Sequence, residues 1–255
     1  MITTNIKNLF EIENSVDMDT FSKVFTKDIR KTIETIRKYG FDIRVVGGAV
    51  RDFLLGKLPR DVDFATDAEP AELIFIFDLE GIDYDAKGIQ HGTIKAVFGN
   101  EKIDVTSISY KMTVVNSKIK IDRTDSWKFD SFRRDLTINS MSVDMDGNLY
   151  DYQNGQADLA RSLIKYCPNA QEKIDNDPFT ILRWFKALAY FDQPKWINND
   201  KELNQRNADK ITAVKDEERT KLLLSSLLSA KNSKKIFSMM CNIGVAQPLG
   251  INCNI

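Results

Sequence analysis

A short, mainly apolar stretch predicts a β-strand over residues 62–65. Asp63 lies within this strand, and Asp61 directly precedes it. Residues two apart on a strand face the same side, with Cα atoms roughly 6.6 Å apart. Mg²⁺ prefers carboxylate oxygens, and a pair of such ions assists an in-line displacement that releases pyrophosphate. The spacing therefore predicts Asp61 and Asp63 as catalytic metal ligands, although an isolated pair of this kind also occurs where a strand merely ends.

Two glycines, Gly47 and Gly48, separate a β-branched segment at residues 43–46 from a helical segment that Gly56 closes. Without side chains, their backbone N–H groups can approach a phosphate at the start of a helix. A tight turn that requires positive φ explains the same glycines. Further along, alternation predicts that Asp104 faces away from the core side of its strand, either as a third catalytic carboxylate or as an exposed residue.

Composition excludes several other kinds of site. The chain has 36 basic and 37 acidic residues, so its total charge neither indicates nor excludes a nucleic-acid partner, because a local basic stripe can lie within a neutral total. His91 is the single histidine, which rules out histidine metal clusters and Ser/His/Asp triads. Cys167, Cys241 and Cys253 are widely spaced, which argues against a disulfide framework or structural zinc and favours a reducing compartment. With no signal-like N-terminus and no apolar span, we expect a cytoplasmic protein without a membrane partner.

The predicted elements indicate an α+β fold in two parts. Helical periodicity over residues 19–39 ends at Gly40, and further strands are predicted at residues 93–98 and 103–108, joined by a polar turn. A lysine-bearing stretch at residues 111–128 predicts a surface hairpin or a mobile loop. Strand signals vanish after about residue 160, so we predict domains at residues 1–160, with an N-terminal helix, and 161–255, which is helical.

Four motifs follow one another along the chain: GGAVRD at residues 47–52, RDVDFATDA at 60–68, RRDLTINSM at 133–141 and LYDYQNGQADL at 149–159. In order and spacing they resemble the tRNA nucleotidyltransferase (CCA-adding enzyme) and poly(A) polymerase family, bacterial-type class II. The resemblance covers most of residues 40–230. It implies a polymerase-β-like nucleotidyltransferase head with a small mixed sheet, followed by an all-helical neck, in a chain shortened at its C-terminus.

The resemblance also implies contacts between the first and third motifs and the incoming nucleotide. The implied residues are Gly47, Gly48 and Arg51 in the first motif, and Arg134, Asp135 and Asn139 in the third. An arginine fork suits phosphate, and Asn or Asp can bond a ribose 2′-hydroxyl. The alternative, which can coexist with nucleotide binding, is that Arg51 with Asp52, and Arg134 with Asp135, form structural ion pairs.

A helix that reads the base in this family has the pattern EDxxRxLRxxRF, and residues 176–188 read NDPFTILRWFKAL. Asp177 and Arg183 match the pattern, whereas Asn176, Thr180 and Lys186 depart from it. Because threonine cannot supply a fork of two donors, Thr180 alters the usual means of choosing C and then A.

Structural roles account for part of the same helix. Asp177 before Pro178 is also a typical helix start, with the aspartate as the cap. The apolar side chains Trp184, Phe185, Leu188 and Phe191 recur at helical spacing and are predicted to form core. A second helix, at residues 217–228, resembles the family's neck-bracing helix.

The implied activity is Mg²⁺-dependent transfer of nucleotides from CTP and ATP to the 3′ end of tRNA. Alternatives are single-nucleotide or poly(A)-type RNA tailing, a catalytically idle RNA-binding remnant, and a toxin-like transferase that modifies tRNA. The implied partners are tRNA, ATP and CTP, together with a homo-oligomer or an accessory RNA-binding partner.

Overall fold

The computed structural model of the protein describes residues 18–108, 111–115, 118–122, 126–213 and 217–253. The chain divides into two compact units. The first comprises the chain up to Ser131 together with Met141–Tyr152, and the second comprises Phe132–Ser140 with the chain from Gln153 onward. The predicted head and neck domains stay a prediction, because compactness alone defines these units.

A mixed sheet forms the centre of the first unit. Among the described residues its seven strands have the order β3-β4-β5-β2-β1-β8-β9, with β2 and β5 parallel and the other neighbours antiparallel. The strands are β1 (Ile43–Val46), β2 (Asp63–Thr66), β3 (Asp83–Asp85), β4 (Thr93–Phe98), β5 (Glu101–Ser107), β8 (Ser142–Asp144) and β9 (Leu149–Tyr150). The predicted α+β class is confirmed.

The stretch at residues 111–128 contains a separate hairpin. Strands β6 (Lys111–Val115) and β7 (Lys118–Asp122) pair antiparallel with each other. The predicted hairpin is therefore confirmed for these ten backbone positions, its surface position stays a prediction, and residues 116–117 and 123–125 of the stretch lie outside the described residues.

Five helices among the described residues accompany these strands: α1 (Met18–Lys23), α2 (Lys27–Lys38), α3 (Gly48–Leu54), α4 (Pro70–Glu80) and α5 (Trp127–Arg133). The prediction of one helix over residues 19–39 was wrong, because the chain breaks into α1 and α2. Thr26 starts α2 by accepting the backbone N–H of Ile29 at its Oγ1, which satisfies a donor that a continuous helix would bond internally.

The strand that carries the predicted metal ligands also differs from expectation. Strand β2 begins at Asp63, which pairs with Val46 of β1, so Asp61 precedes the strand instead of lying on it. The first parallel partners of β2 and β5 are Phe64 and Val105. Asp61 therefore lies in the loop that precedes β2, two residues after Pro59.

The second unit is mainly helical. Its helices among the described residues are α6 (Gly155–Ala160), α7 (Ala170–Asn176), α8 (Phe179–Ala189), α9 (Asn198–Arg206), α10 (Glu217–Leu228) and α11 (Ser233–Asn242). Helix α8 lies at the centre, with α7, α10 and α11 packed against it. Trp184, Phe185 and Leu188 are fully buried, which confirms them as core, while Phe191 is half-buried.

Two features of this unit were not predicted. Strands β10 (Leu163–Ile164) and β11 (Lys195–Trp196) form a short parallel pair, so the unit is not entirely helical. Strands of two residues are too short to show alternation in a sequence. Cys241 and Cys253 form a disulfide, with Cα atoms 5.6 Å apart. The argument against disulfides was wrong, because residues twelve apart come together only after α11 ends and the chain turns back.

Candidate active site

Three aspartates line one cavity of about 620 Å³ in the first unit: Asp61, Asp63 and Asp104. Strand register explains two of them. Phe64 and Val105 are Cα partners on the parallel strands β2 and β5, so the preceding residues, Asp63 and Asp104, lie at the same level of neighbouring strands. The structure therefore brings together both predicted metal ligands and the carboxylate whose role the sequence left open.

Asp104 has a basic partner inside the cavity. Lys95 Nζ lies 2.6 Å from each carboxylate oxygen of Asp104, and the two residues are direct Cα partners on β4 and β5. Both side chains are about one third exposed, at 36% and 35%. Sequence reasoning missed Lys95, although counting back from the turn at Gly99 pairs it with Asp104.

The cavity wall also includes other charged side chains. Arg60 and Lys102 line it beside the aspartates, and Lys102 lies 4.0 Å from Asp85. At the same wall, Thr26 donates a 2.9 Å hydrogen bond from Oγ1 to Glu101. Carboxylates for a cation and basic groups for an anion therefore occur in one concave site, which suits a phosphorylated substrate held beside a metal.

The donor set fits an oxygen-preferring divalent cation. Mg²⁺ typically takes one or two carboxylates and keeps water or substrate phosphate as its other ligands. Among the described residues no group of three or more His, Cys, Asp and Glu side chains could enclose a metal ion. His91 is exposed and lies outside the cavity lining. The cavity therefore fits Mg²⁺ better than zinc, whose protein sites are typically built with Cys or His ligands.

The glycine pair forms the expected turn between β1 and α3. Gly47 has φ +75° and ψ −137°, a conformation essentially confined to glycine. A Cβ added at Gly48 would lie 3.4 Å from Nη2 of Arg51, so the missing side chain leaves room for that guanidinium. Arg51 donates to Oδ1 of Asp52 from Nε at 3.0 Å and Nη2 at 2.8 Å, which confirms the structural ion pair.

In the second unit Arg183 joins three acceptors. Its Nε donates to Asp135 at 2.5 Å, Nη1 donates to Asp177 at 3.0 Å, and Nη2 donates to Oγ1 of Thr180 at 2.8 Å. Burial opposes the charge of Arg183, but the carboxylates of Asp135 and Asp177 outweigh it and raise the guanidinium pKa above its ordinary value. Residues predicted from two separate motifs, RRDLTINSM and the base-reading helix, therefore form one cluster.

Asp177 also has the structural role that the sequence allowed. Its Oδ1 accepts the backbone N–H of Phe179, the first residue of α8, at 3.0 Å. Thr180 is 1% exposed, whereas Lys186 projects from the same helix and is exposed. The structure therefore brings Asp177 and Arg183 together, and it does not bring Lys186 into their hydrogen-bonded cluster.

The RRDLTINSM segment is tied to the next motif by a buried hydrogen bond. Oγ1 of Thr137 donates to Asp158 at 2.7 Å, and Asp158 belongs to the LYDYQNGQADL motif. The carbonyl of Arg134 accepts from Lys173 at 2.7 Å, and Asn139, which ends the 3₁₀ turn Thr137–Asn139, is half-buried. Sequence reasoning did not name Thr137 or Asp158, although both lie inside its motifs.

Comparisons with known proteins identify relatives of the chain. Residues 43–165 match the family described as the Poly A polymerase head domain. The mitochondrial CCA tRNA nucleotidyltransferase 1 of Mus musculus is 34% identical over 237 residues, which are 92% of this chain and 54% of that protein. The CCA-adding enzyme of Staphylococcus aureus strain MRSA252 is 32% identical over 175 residues, 67% of this chain and 42% of that protein. The chain spans about half the length of such relatives.

Solved structures show the same fold. A Bacillus stearothermophilus CCA-adding enzyme in complex with CTP aligns with a TM-score of 0.73 and 24% identity, covering 87% of this chain and 53% of that one. A Thermotoga maritima CCA-adding enzyme complexed with tRNA aligns with a TM-score of 0.70 and 22% identity, covering 92% and 55%. In the parts of the chain that the structure describes, no helix is both long and apolar enough to cross a membrane.

Proposed function

Because the chain belongs to the family of CCA-adding enzymes and poly(A) polymerases, we propose that it is a metal-dependent RNA nucleotidyltransferase acting on the 3′ end of tRNA. The observation that carries the proposal is the convergence of Asp61, Asp63 and Asp104 on one cavity. CTP and ATP are the proposed nucleotide donors. Residues 1–160 are the proposed head domain, and residues 161–255 the proposed neck.

The reaction is an in-line displacement at phosphorus. The 3′-oxygen of the RNA bonds to the α-phosphorus of the nucleotide, the bond to the β-phosphate oxygen breaks, the hydroxyl proton is released, and pyrophosphate leaves. Asp61 and Asp63 are the proposed ligands of Mg²⁺. When bound, such ions neutralise triphosphate charge and favour ionisation of the attacking hydroxyl. Asp104 is the proposed third catalytic carboxylate.

Nucleotide binding is assigned to residues of both units, each considered by itself. The proposed contacts in the first unit are Gly47, Gly48 and Arg51, and those in the second are Arg134, Asp135, Asn139, Asp177, Arg183 and Lys186. The turn at Gly47 supports the first assignment, because it presents backbone without a side chain between β1 and α3. The ion pairs of Arg183 with Asp135 and Asp177 support the second, because they hold the guanidinium in one orientation.

The helix α8 favours a second candidate function, in which the enzyme adds a single kind of nucleotide or a poly(A)-type tail. Thr180 replaces the first arginine of the family pattern, and its hydroxyl accepts a hydrogen bond from Arg183. A base-reading pair that contains Arg183 in place of residue 180 presents a different donor geometry to the base. The nucleotide choice can therefore change while the chemistry stays the same.

Primer extension separates these functions. Purified protein with Mg²⁺ is incubated with tRNAs that end before C, before CA and before A, and with CTP or ATP one at a time. A CCA-adding enzyme extends each tRNA only with the nucleotide that continues CCA, whereas a tailing enzyme adds one nucleotide regardless of the end. Failure to extend any of these tRNAs with either nucleotide would contradict both proposals and would favour a binding remnant.

A cytoplasmic location is part of the proposal, although the mouse relative is named mitochondrial. Fractionation of cells that express the protein from its natural gene, followed by immunodetection, tests this location. Enrichment in an organelle fraction would contradict it.

A further inference from the structure

We propose that Lys95 is the resident counter-ion of the carboxylate cavity: it pairs with Asp104 when the cavity holds no divalent cation, and it moves to a phosphate oxygen of bound substrate when a cation occupies the site. This inference rests on the proposed function, because it assumes that the cavity binds a metal and a phosphorylated substrate. It adds a residue that the motifs do not contain.

The geometry of the pair supports the first half of the proposal. Lys95 Nζ contacts both oxygens of Asp104 at 2.6 Å, so it covers the face of the carboxylate that a cation would bind. A second cation at the same oxygens would lie within a few ångströms of the ammonium, where like charges repel strongly. Lys95 and a metal ion bound to Asp104 therefore exclude each other.

The surroundings of Lys95 support the second half. Its side chain is 36% exposed, and its ammonium group lies at the end of a flexible four-carbon stem. The ammonium can therefore change position without repacking of the core. The cavity that it lines also contains Asp61 and Asp63. A metal ion held by these aspartates would take a substrate phosphate as a further ligand. The negative phosphate oxygen would then lie beside Lys95, which had lost its contact with Asp104, and could accept a charge-assisted hydrogen bond from it.

Lys102 provides a matched control for the general charge of the cavity. It lines the same cavity from strand β5 but lies 4.0 Å from Asp85, and no ion pair joins it to Asp104 among the described contacts. Lys102→Met therefore removes one positive charge from the wall and leaves the Lys95–Asp104 pair in place. Lys95→Arg is the conservative variant, since it keeps the charge beside Asp104.

The decisive measurement is the affinity of the full chain for Mn²⁺ in the absence of substrate. The electron paramagnetic resonance signal of free Mn²⁺ reports how much of the ion remains unbound. For Lys95→Met we expect a dissociation constant about fivefold to tenfold lower than that of the unsubstituted protein, because a competing charge has gone. For Lys95→Arg and Lys102→Met we expect changes below about twofold. Lys95→Gln is the replacement if thermal unfolding shows that Lys95→Met does not fold.

Binding of phosphorylated ligands tests whether the Lys95 ammonium moves from Asp104 to a phosphate oxygen. With Ca²⁺ present to prevent turnover, Lys95→Met should bind its phosphate ligand about fivefold more weakly, because one charge-assisted contact is lost. Separate titrations with CTP and with tRNA lacking CCA show whether the contacted phosphate belongs to the nucleotide or to the RNA. Unchanged binding of both ligands would overturn the second half of the proposal.

Two outcomes separate this inference from the proposed function. If Lys95→Met and the unsubstituted protein bind Mn²⁺ equally, or if Lys102→Met tightens binding as much, the counter-ion role is overturned. If the double variant Asp61→Asn with Asp63→Asn still binds Mn²⁺ normally, the metal assignment itself is wrong. Loss of Mn²⁺ binding in the double variant, with tighter binding in Lys95→Met, supports both.

Discussion

Arg183 donates a 2.8 Å hydrogen bond from Nη2 to Oγ1 of Thr180, one turn earlier on helix α8. The other two nitrogens of the guanidinium donate to Asp135 and Asp177. Thr180 occupies the position of the first arginine in the family pattern EDxxRxLRxxRF. Because threonine is smaller than arginine, it leaves room for Arg183 beside Asp177. One arginine is therefore shared between a structural cluster and the proposed reading of the base.

Replacing Arg183 with lysine tests this shared role. Lysine keeps the charge but cannot serve three acceptors in a planar fork. We expect kcat/KM for CTP and ATP to fall by about tenfold or more, and the preference between the two to weaken, since each lost charge-assisted bond is worth about 1.5–3 kcal/mol. Single-turnover extension of tRNA measures both quantities. Arg206→Lys, an exposed position on α9, should change neither, and an equal loss there would contradict the assignment.

Restoring an arginine at residue 180 gives a second prediction. Because Thr180 is 1% exposed, Thr180→Arg should lower the free energy of unfolding by about 1–3 kcal/mol through overpacking. The double variant Thr180→Arg with Arg183→Ala vacates the space and should recover part of that loss, which urea unfolding measures. If Thr180→Arg is as stable as the unsubstituted protein, the two side chains do not compete. A gain in C-then-A fidelity in the double variant would support the altered-specificity function.

The metal assignment predicts the effects of two isosteric changes. Asp61→Asn and Asp63→Asn each remove a negative charge and a metal ligand, and each should lower the rate of nucleotide incorporation at least about a thousandfold. Both side chains are exposed, so thermal unfolding should change little. Single-turnover rates at saturating Mg²⁺ provide the measurement. A loss below tenfold in either variant would remove that residue from the metal site.

The glycine turn predicts two different responses to the same added methyl group. Gly47→Ala should lower the free energy of unfolding by about 1–3 kcal/mol, because Gly47 has φ +75° and ψ −137°. In Gly48→Ala the new Cβ meets Nη2 of Arg51 at 3.4 Å, so we expect slower incorporation with little change in stability. Urea unfolding and extension assays on both variants make the comparison. Equal stability losses would show that conformation at Gly47 is not the cause.

Cysteine chemistry tests the second unit. Burial raises the pKa of the Cys167 thiol from 9.0 to about 11. The thiol pKa is higher in the folded protein than in the unfolded chain. The free energy of unfolding that the neutral thiol contributes is therefore complete below pH 9.0, and it is lost as the pH rises toward about 11.

The disulfide predicts the number of reactive thiols. Below pH 9.0 we expect no reactive thiol in the native protein and one after unfolding without reductant, since Cys241 and Cys253 are joined. Three reactive thiols after unfolding would contradict the disulfide.

Short-range patterns in the sequence determined much of this protein. Gly47 follows a strand and precedes a helix because its positive φ favours a residue without a side chain, and the alternation around Asp104 placed its carboxylate away from Ile103 and Val105. The α+β class and the pairing of β6 with β7 follow from the same local preferences. Such features depend on residues close in sequence, so they were predictable.

The partners of the candidate site were decided by tertiary structure. The parallel register of β2 and β5 brings Asp63 level with Asp104, and folding of the second unit brings Arg183 to Asp135, which is 48 residues away. Only the folded chain shows that Asp61 precedes β2 and that Cys241 meets Cys253. The physical reason is that residue type and spacing specify a local conformation, whereas a register or an ion pair depends on which distant surfaces pack together.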